Sequence, residues 1–310
     1  MWIPLLALSL GCSGASEPAG PETKAPNQSI VLALNWLPEP EFGGFYEGML
    51  GGHYAEAGFD VQILPGGAGA PSLELMASGK ADAAITAADD LLLKRNKGVK
   101  ALGVWPAFQR APNGLMVRET GPQGFGAILP GTQVAIEVGS PFQRYLWEKQ
   151  GWGTQVQAVP YTGGIGQFLA DEDLIQQAYI TSEVCMARAK GVDVRFLKAA
   201  DAGWNPYGTL LALPDPMPAW GPAFVEATKK AWEAYMAHPQ RANAHMASLN
   251  PALTDEVLSC VTQAQAEYVL GEQGLGHMDA ARWDAMAETL VDLGLLPEGS
   301  SAQGAWVVVE

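Results

Sequence analysis

From residue 30 onward, the apolar positions of this chain alternate between short β-rich runs and stretches with helical spacing. Residues 30–34 form the first apolar run, and a loop bearing Pro and Glu follows over 35–41. Residues 42–57 carry Phe45, Tyr46, Met49, Leu50 and Tyr54 at helical intervals, and Gly58 stops the helix. Residues 60–64 alternate as a strand does, and Ser72 is placed to cap a short helix over 73–78 that Gly79 ends. A strand over 81–86, a helix over 89–97 and a strand over 100–105 complete this first unit.

The pattern then restarts. Strands are expected over 114–117, 133–137, 156–160, 176–180 and 194–197, with helices over 141–150, 165–170 and 183–190 between them. Residues 209–213 read as a strand leading out of this second unit, and beyond Pro218 the chain becomes helical. Strand–helix alternation with short connections predicts mainly parallel sheets flanked by helices. The expectation is a two-lobed α/β protein: residues 30–113 plus 214–310 form the first lobe and 114–213 the second, with 114–117 and 209–213 as crossing strands. Ligands of open parallel sheets bind beyond the carboxyl ends of the strands, so the loops after strands are the places to look for a site.

Composition narrows the partners. Acidic residues outnumber basic ones 33 to 18, a formal charge of −15, which repels nucleic acid and anionic lipid headgroups. Residues 1–12 read as a lipoprotein export signal: a short apolar stretch ends in Gly11-Cys12, and Cys12 is the expected lipidation site. Residues 13–29 then form a polar, Pro-rich flexible tether. The expected location is the periplasm or cell surface, with the membrane touched through the lipid anchor alone. Cys185 and Cys260 have no CxxC partner and fall in different expected lobes, so they are expected to be two buried free thiols.

The loops after strands supply mostly aromatic and acidic side chains. The first offers Trp36, Glu39, Glu41 and Phe42; later ones offer Asp89, the pair Phe108-Gln109, and Ser140. Tyr161 and Glu183 follow in the second unit, and Asn205 and Tyr207 precede the returning strand. Rings stack on planar ligands, and carboxylates accept hydrogen bonds from amino and ring N–H groups. Ser140-Pro141 at a helix start could face an anion, although an ordinary cap explains it as well. Trp36 could equally cover the core, and Asp89 could serve only the helix it begins. The glycines at 66–69 lack the Lys-Ser/Thr of a phosphate loop, and the four histidines stand singly without metal spacing. Neither catalysis, cofactor nor metal is therefore expected.

Several segments carry a family resemblance: LNWLPEPEFGGFYEG (34–48), GFDVQILPGGAGAP (58–71), ASGKADAAITAADDLLL (77–93), the Phe108-Gln109 pair, VAIEVGSPFQRYL (134–146), the TSE turn and ARWDAMAETLVDLGLL (281–296). Together they resemble periplasmic binding proteins related to the thiamine-pyrimidine precursor synthases. That resemblance implies a type II periplasmic-binding fold and a monomer that delivers a small molecule to the permease and ATPase subunits of an ABC importer. The ligands it implies are aminopyrimidine precursors of thiamine or riboflavin, and in other branches sulfonates or nitrate. The synthase branch, a pyridoxal-dependent enzyme, has a histidine in its first loop and a later cysteine cluster; this chain has neither.

Overall fold

The structure is a computed structural model and describes residues 28–309. Cys12, the signal segment and nearly all of the expected tether lie outside the described residues. Ten strands, β1 (Gln28–Ala33), β2 (Phe59–Leu64), β3 (Ala83–Thr86), β4 (Ala101–Phe108), β5 (Asn113–Arg118), β6 (Gln133–Ile136), β7 (Gln157–Pro160), β8 (Ile175–Tyr179), β9 (Val194–Lys198) and β10 (Gly208–Pro214), build two five-stranded sheets. Their orders are β2-β1-β3-β10-β4 and β7-β6-β8-β5-β9. In the first, β1 runs parallel to β2 and β3 while β10 is antiparallel to β3 and β4; in the second, β6 runs parallel to β7 and β8 while β5 is antiparallel to β8 and β9. Each sheet is thus parallel except for the one strand that arrives from the other lobe.

This topology moves one expected boundary. Residues 209–213 lie in β10, inside the first sheet, and 114–117 lie in β5, inside the second. The chain crosses between sheets in the segments just before these strands. An antiparallel apolar strand looks the same in sequence whether it leaves a sheet or enters one.

The helices are α1 (Gly43–Leu50), α2 (His53–Glu56), α3 (Ser72–Ala77), α4 (Ala88–Asn96), α5 (Pro141–Gln150), α6 (Gly166–Ala170), α7 (Glu183–Ala189), α8 (Gly221–Ala237), α9 (Gln240–Leu249), α10 (Asp255–Leu270) and α11 (Ala280–Asp292). The single helix expected over 42–57 is split, because Gly52 adopts φ 86°, a left-handed conformation that ends one helix before the next begins. Ser72 does not cap α3; its hydroxyl donates to the Ile85 carbonyl at 2.8 Å. Among the described residues no helix is long and apolar enough to cross a membrane.

Helix α1 presses against α8 through two glycines. A Cβ at Gly44 would sit 2.2 Å from the Trp232 ring, and one at Gly43 would sit 2.0 Å from Tyr235. Trp232 also meets Phe45 edge to face, with ring centroids 5.7 Å apart, so the indole cannot yield. Gly44→Ala is therefore expected to destabilise the fold by about 3 kcal/mol through overpacking, read as a lower urea midpoint with unchanged slope.

Cys185 and Cys260 are not free thiols. They form a disulfide between α7 and α10, with Cα atoms 5.6 Å apart. The two cysteines do belong to different parts of the chain. Helix α10 nevertheless leaves the first lobe's helices and lies against α7 of the second, a contact 75 residues distant in sequence.

Candidate functional site

The site is assembled from the carboxyl ends of strands in both sheets. After β1 the chain is anchored by Leu34 N–H donating to the Leu64 carbonyl (2.9 Å) and by Gly66 N–H donating to that of Trp36 (2.9 Å). It then makes a single 3-10 turn, Pro40–Phe42, closed by Phe42 N–H on the Glu39 carbonyl at 2.9 Å. Proline at the first position presets this turn and carries no N–H to satisfy. The turn buries Glu39 and Glu41, which are 4% and 5% exposed.

Glu183, 5% exposed, begins α7 after β8 in the other sheet. Its Oε2 accepts from the Tyr179 N–H at 2.8 Å, and its Oε1 accepts the Tyr161 hydroxyl. Burial raises its pKa, opposed by those two donors. Burial also holds Glu41 up to about 8, with the Glu183 charge adding to it. Glu39 lies well above the usual carboxylate range, because it is buried and because Glu183 and Glu41 stand close. At the start of α4, burial and the neighbouring Asp90 push Asp89 up to about 7. Among the described residues, no lysine, arginine or histidine is among the main influences on Glu39, Glu41 or Glu183. Arg110 is committed to Asp201 and Glu267.

The candidates read from the sequence divide into two groups. Glu41, Tyr161 and Glu183 converge, with Trp36 half-buried on the same loop as Glu41, and Asp89 reaches them through Tyr179. Phe42 and Phe108 are fully buried, Phe108 against Trp232 at 6.3 Å between centroids. Ser140 caps α5, accepting from Gln143 N–H at 3.2 Å. Gln109 donates its backbone N–H to the Tyr268 carbonyl at 2.8 Å, while its buried side-chain Nε2 has no hydrogen-bond partner. Asn205 and Tyr207 belong to the joint between the lobes. The Asn205 Oδ1 accepts from Ala111 N–H at 2.8 Å, and the Tyr207 ring lies under Arg282, 3.8 Å from its guanidinium carbon.

Beside these candidates, Glu39, Ser182 and Tyr179 also contribute to the site. Glu39 is part of the first loop's acidic pair. Ser182, 2% exposed, stands beside Glu39, where its hydroxyl opposes the rise in that carboxyl's pKa. Tyr179 ends β8 with 38% of its surface exposed; loss of solvent around its hydroxyl raises its pKa, and Glu41, Asp89, Glu183 and Glu137 raise it further. Strand alternation followed to the last residue of β8 is the signal that could have found Tyr179.

With this geometry in place, comparison with known proteins identifies the lineage. A family model described as NMT1/THI5 like matches residues 39–242. The chain belongs to the NMT1/THI5 like family. A relative within reach is the riboflavin-binding protein RibY of Chloroflexus aurantiacus, 25% identical over 341 residues, 98% of this chain and 94% of the relative. The formylaminopyrimidine-binding protein of Halalkalibacterium halodurans is 23% identical over 192 residues, 60% of this chain and 58% of the relative. In structure, the chain resembles the alkanesulfonate-binding protein SsuA of Xanthomonas axonopodis pv. citri, solved with MOPS, at TM-score 0.67 and 14% identity, covering 92% of this chain and 100% of that one. The type II periplasmic-binding fold implied by the sequence is thereby shown.

What this NMT1/THI5 like site can do follows from its donor and acceptor balance. Carboxylates from both lobes meet without a cation to neutralise them. An entering molecule that donates several hydrogen bonds relieves their mutual repulsion, whereas an anion adds to it. Among the described residues no group of three or more His, Cys, Asp or Glu side chains is arranged to hold a metal ion.

Proposed function

We propose that this protein is the solute-capturing component of an ABC importer and that its ligand is a small, planar, nitrogen-rich ring of aminopyrimidine or riboflavin type. One observation carries this reading: Glu39 and Glu41 from the first lobe face Glu183 from the second, buried and without a cation among them. A ring bearing amino or ring N–H groups supplies further donors to these acceptors, and Trp36 with Tyr161 supplies flat apolar surface. The names of the two relatives support the same ligand class. A sulfonate or nitrate would need arginine, lysine or bare backbone N–H groups where carboxylates stand. The protein acts as a carrier and not as a pyrimidine-forming enzyme; its first loop, 35–41, offers neither histidine nor lysine. It works as a monomer outside the cytoplasm, tethered through a lipid on Cys12, and hands its ligand to permease and ATPase subunits.

Titration of tryptophan fluorescence tests the ligand, using riboflavin, 4-amino-5-hydroxymethyl-2-methylpyrimidine and ethanesulfonate. One of the two heterocycles is expected to bind and the sulfonate is not. Glu183→Gln is expected to weaken that binding at least tenfold, about 1.4 kcal/mol, because the amide presents a donor where an acceptor is needed. Sulfonate binding, or an unaffected Glu183→Gln, would refute the reading.

A further inference from the structure

The Cys185–Cys260 disulfide joins two elements that the ligand site depends on. Cys185 lies one half-turn into α7, the helix whose first residue is Glu183. Cys260 lies in α10, which touches both the Pro40–Phe42 turn holding Glu41 and the end of β4. There the Tyr268 carbonyl accepts from Gln109 N–H at 2.8 Å and from Arg110 N–H at 3.0 Å, docking α10 on the first lobe. Helix α7 instead packs on β8 and β9 of the second sheet. The disulfide therefore spans the lobes away from the two crossing segments. Elsewhere along the same seam, Glu267 of α10 pairs with Lys198 at 2.8 Å and Arg110 at 2.9 Å, contacts exposed enough to contribute little. On its outer side the α7–α10 seam is an open groove lined by Arg188, Ala189, Glu256, Gln263 and Ala264, while Val184 of α7 and Val257 and Val261 of α10 are buried.

We infer that the Cys185–Cys260 disulfide is a positioning element of the binding site, holding Glu183 against Glu39 and Glu41 and confining lobe opening to a swing about the α7–α10 edge. The inference rests on the site proposed above, but its test needs no ligand, so a wrong ligand and a wrong role for the disulfide fail separately. With the bond in place, the acceptors of the two lobes keep a fixed spacing. Without it, repulsion among the carboxylates is free to drive α7 outward. The groups around Glu183 are Glu39 and Glu41 from the first loop, Tyr161 after β7, and Tyr179 and Ser182 around the end of β8; Asp89 and Glu137 reach the cluster through Tyr179.

The discriminating experiment is a set of thermal melts between pH 5 and pH 8 on the oxidised protein and on Cys185→Ser/Cys260→Ser. The oxidised protein is expected to lose melting temperature steadily as pH rises. The variant is expected to melt lower at pH 5 but to show half that pH dependence or less, because its carboxylates have moved apart. A disulfide that only stabilises would lower every melt equally and leave the slope intact, which overturns the inference; so does an oxidised protein with no slope. Should the double variant fail to fold, the same melts on folded protein reduced with a phosphine, its two thiols counted, apply the same criteria.

Discussion

Raising the pH from about 5 to about 8 is expected to destabilise the unliganded protein by about 3 kcal/mol or more, a fall in melting temperature of roughly 6–12 °C. Glu41, held up to about 8 by burial first and by the Glu183 charge second, binds its proton more tightly in the folded protein than in the unfolded chain. Asp89 does the same up to about 7. Between the ordinary carboxylate value and these raised ones, the folded state holds more protons than the unfolded state, so stability declines as pH climbs. Below the ordinary value both states are protonated and the effect is flat; above about 8 it has run its course. A fully shifted carboxyl costs about 1.4 kcal/mol per pH unit, and groups this close share their protons, so their contributions do not simply add. Glu74 and Glu267 are held low by Lys94 and Lys198 respectively; their opposite influence lies below this window.

Melts at low ionic strength, without ligand, measure this directly. Glu41→Gln removes a carboxyl held up to about 8 and is expected to raise the melting temperature at pH 8 while leaving it nearly unchanged at pH 5. A melting temperature that rises or stays level between those pH values contradicts the buried, cation-free cluster. The direction is itself informative, since an exposed acidic patch would titrate near its ordinary value and leave this window featureless.

The alternation of strands and helices was legible because periods of two and 3.6 are written locally, and α5 shows it at its clearest, with Ser140, Pro141 and the closing Gly151 all in sequence order. Loop chemistry was legible only by residue type. Phe108 and Tyr207 end up in packed interior while Tyr161 reaches Glu183, yet all three are aromatics beside strand ends. An aromatic ring satisfies a core and a ligand wall by the same surface burial, so sequence alone does not separate them. Acidity of the first loop was visible in Glu39 and Glu41. Their apposition to Glu183 was not, because it depends on how two sheets meet. The disulfide is hidden for the same reason: cysteines in separate lobes read as separate thiols, and α10 crosses that divide.

The least legible contributor is Arg282, on α11, and its loss is expected to cost about 3–5 kcal/mol. Its Nε donates to the Asn205 carbonyl at 2.9 Å, its Nη2 to the Pro206 carbonyl at 2.9 Å and to Asn205 Oδ1 at 3.2 Å, and its Nη1 to the Gln109 carbonyl. Residues 109 and 205–206 belong to the two segments that cross between the sheets, so one guanidinium ties both crossings together. Its plane also covers the Tyr207 ring, whose hydroxyl donates to Asp279 Oδ2 at 3.2 Å. Arg282→Ala removes a charged donor from four acceptors at once; the Arg110–Asp201 pair also joins the two crossings, but it is exposed enough to contribute little. Arg282→Lys restores charge but not the planar fork, and is expected to recover less than half of the loss. Urea midpoints at pH 7 decide between the variants. If Arg282→Lys matches the original protein, a point charge suffices and the fork geometry contributes nothing. If both variants fall together, what holds the crossings is the multidentate bonding of the guanidinium.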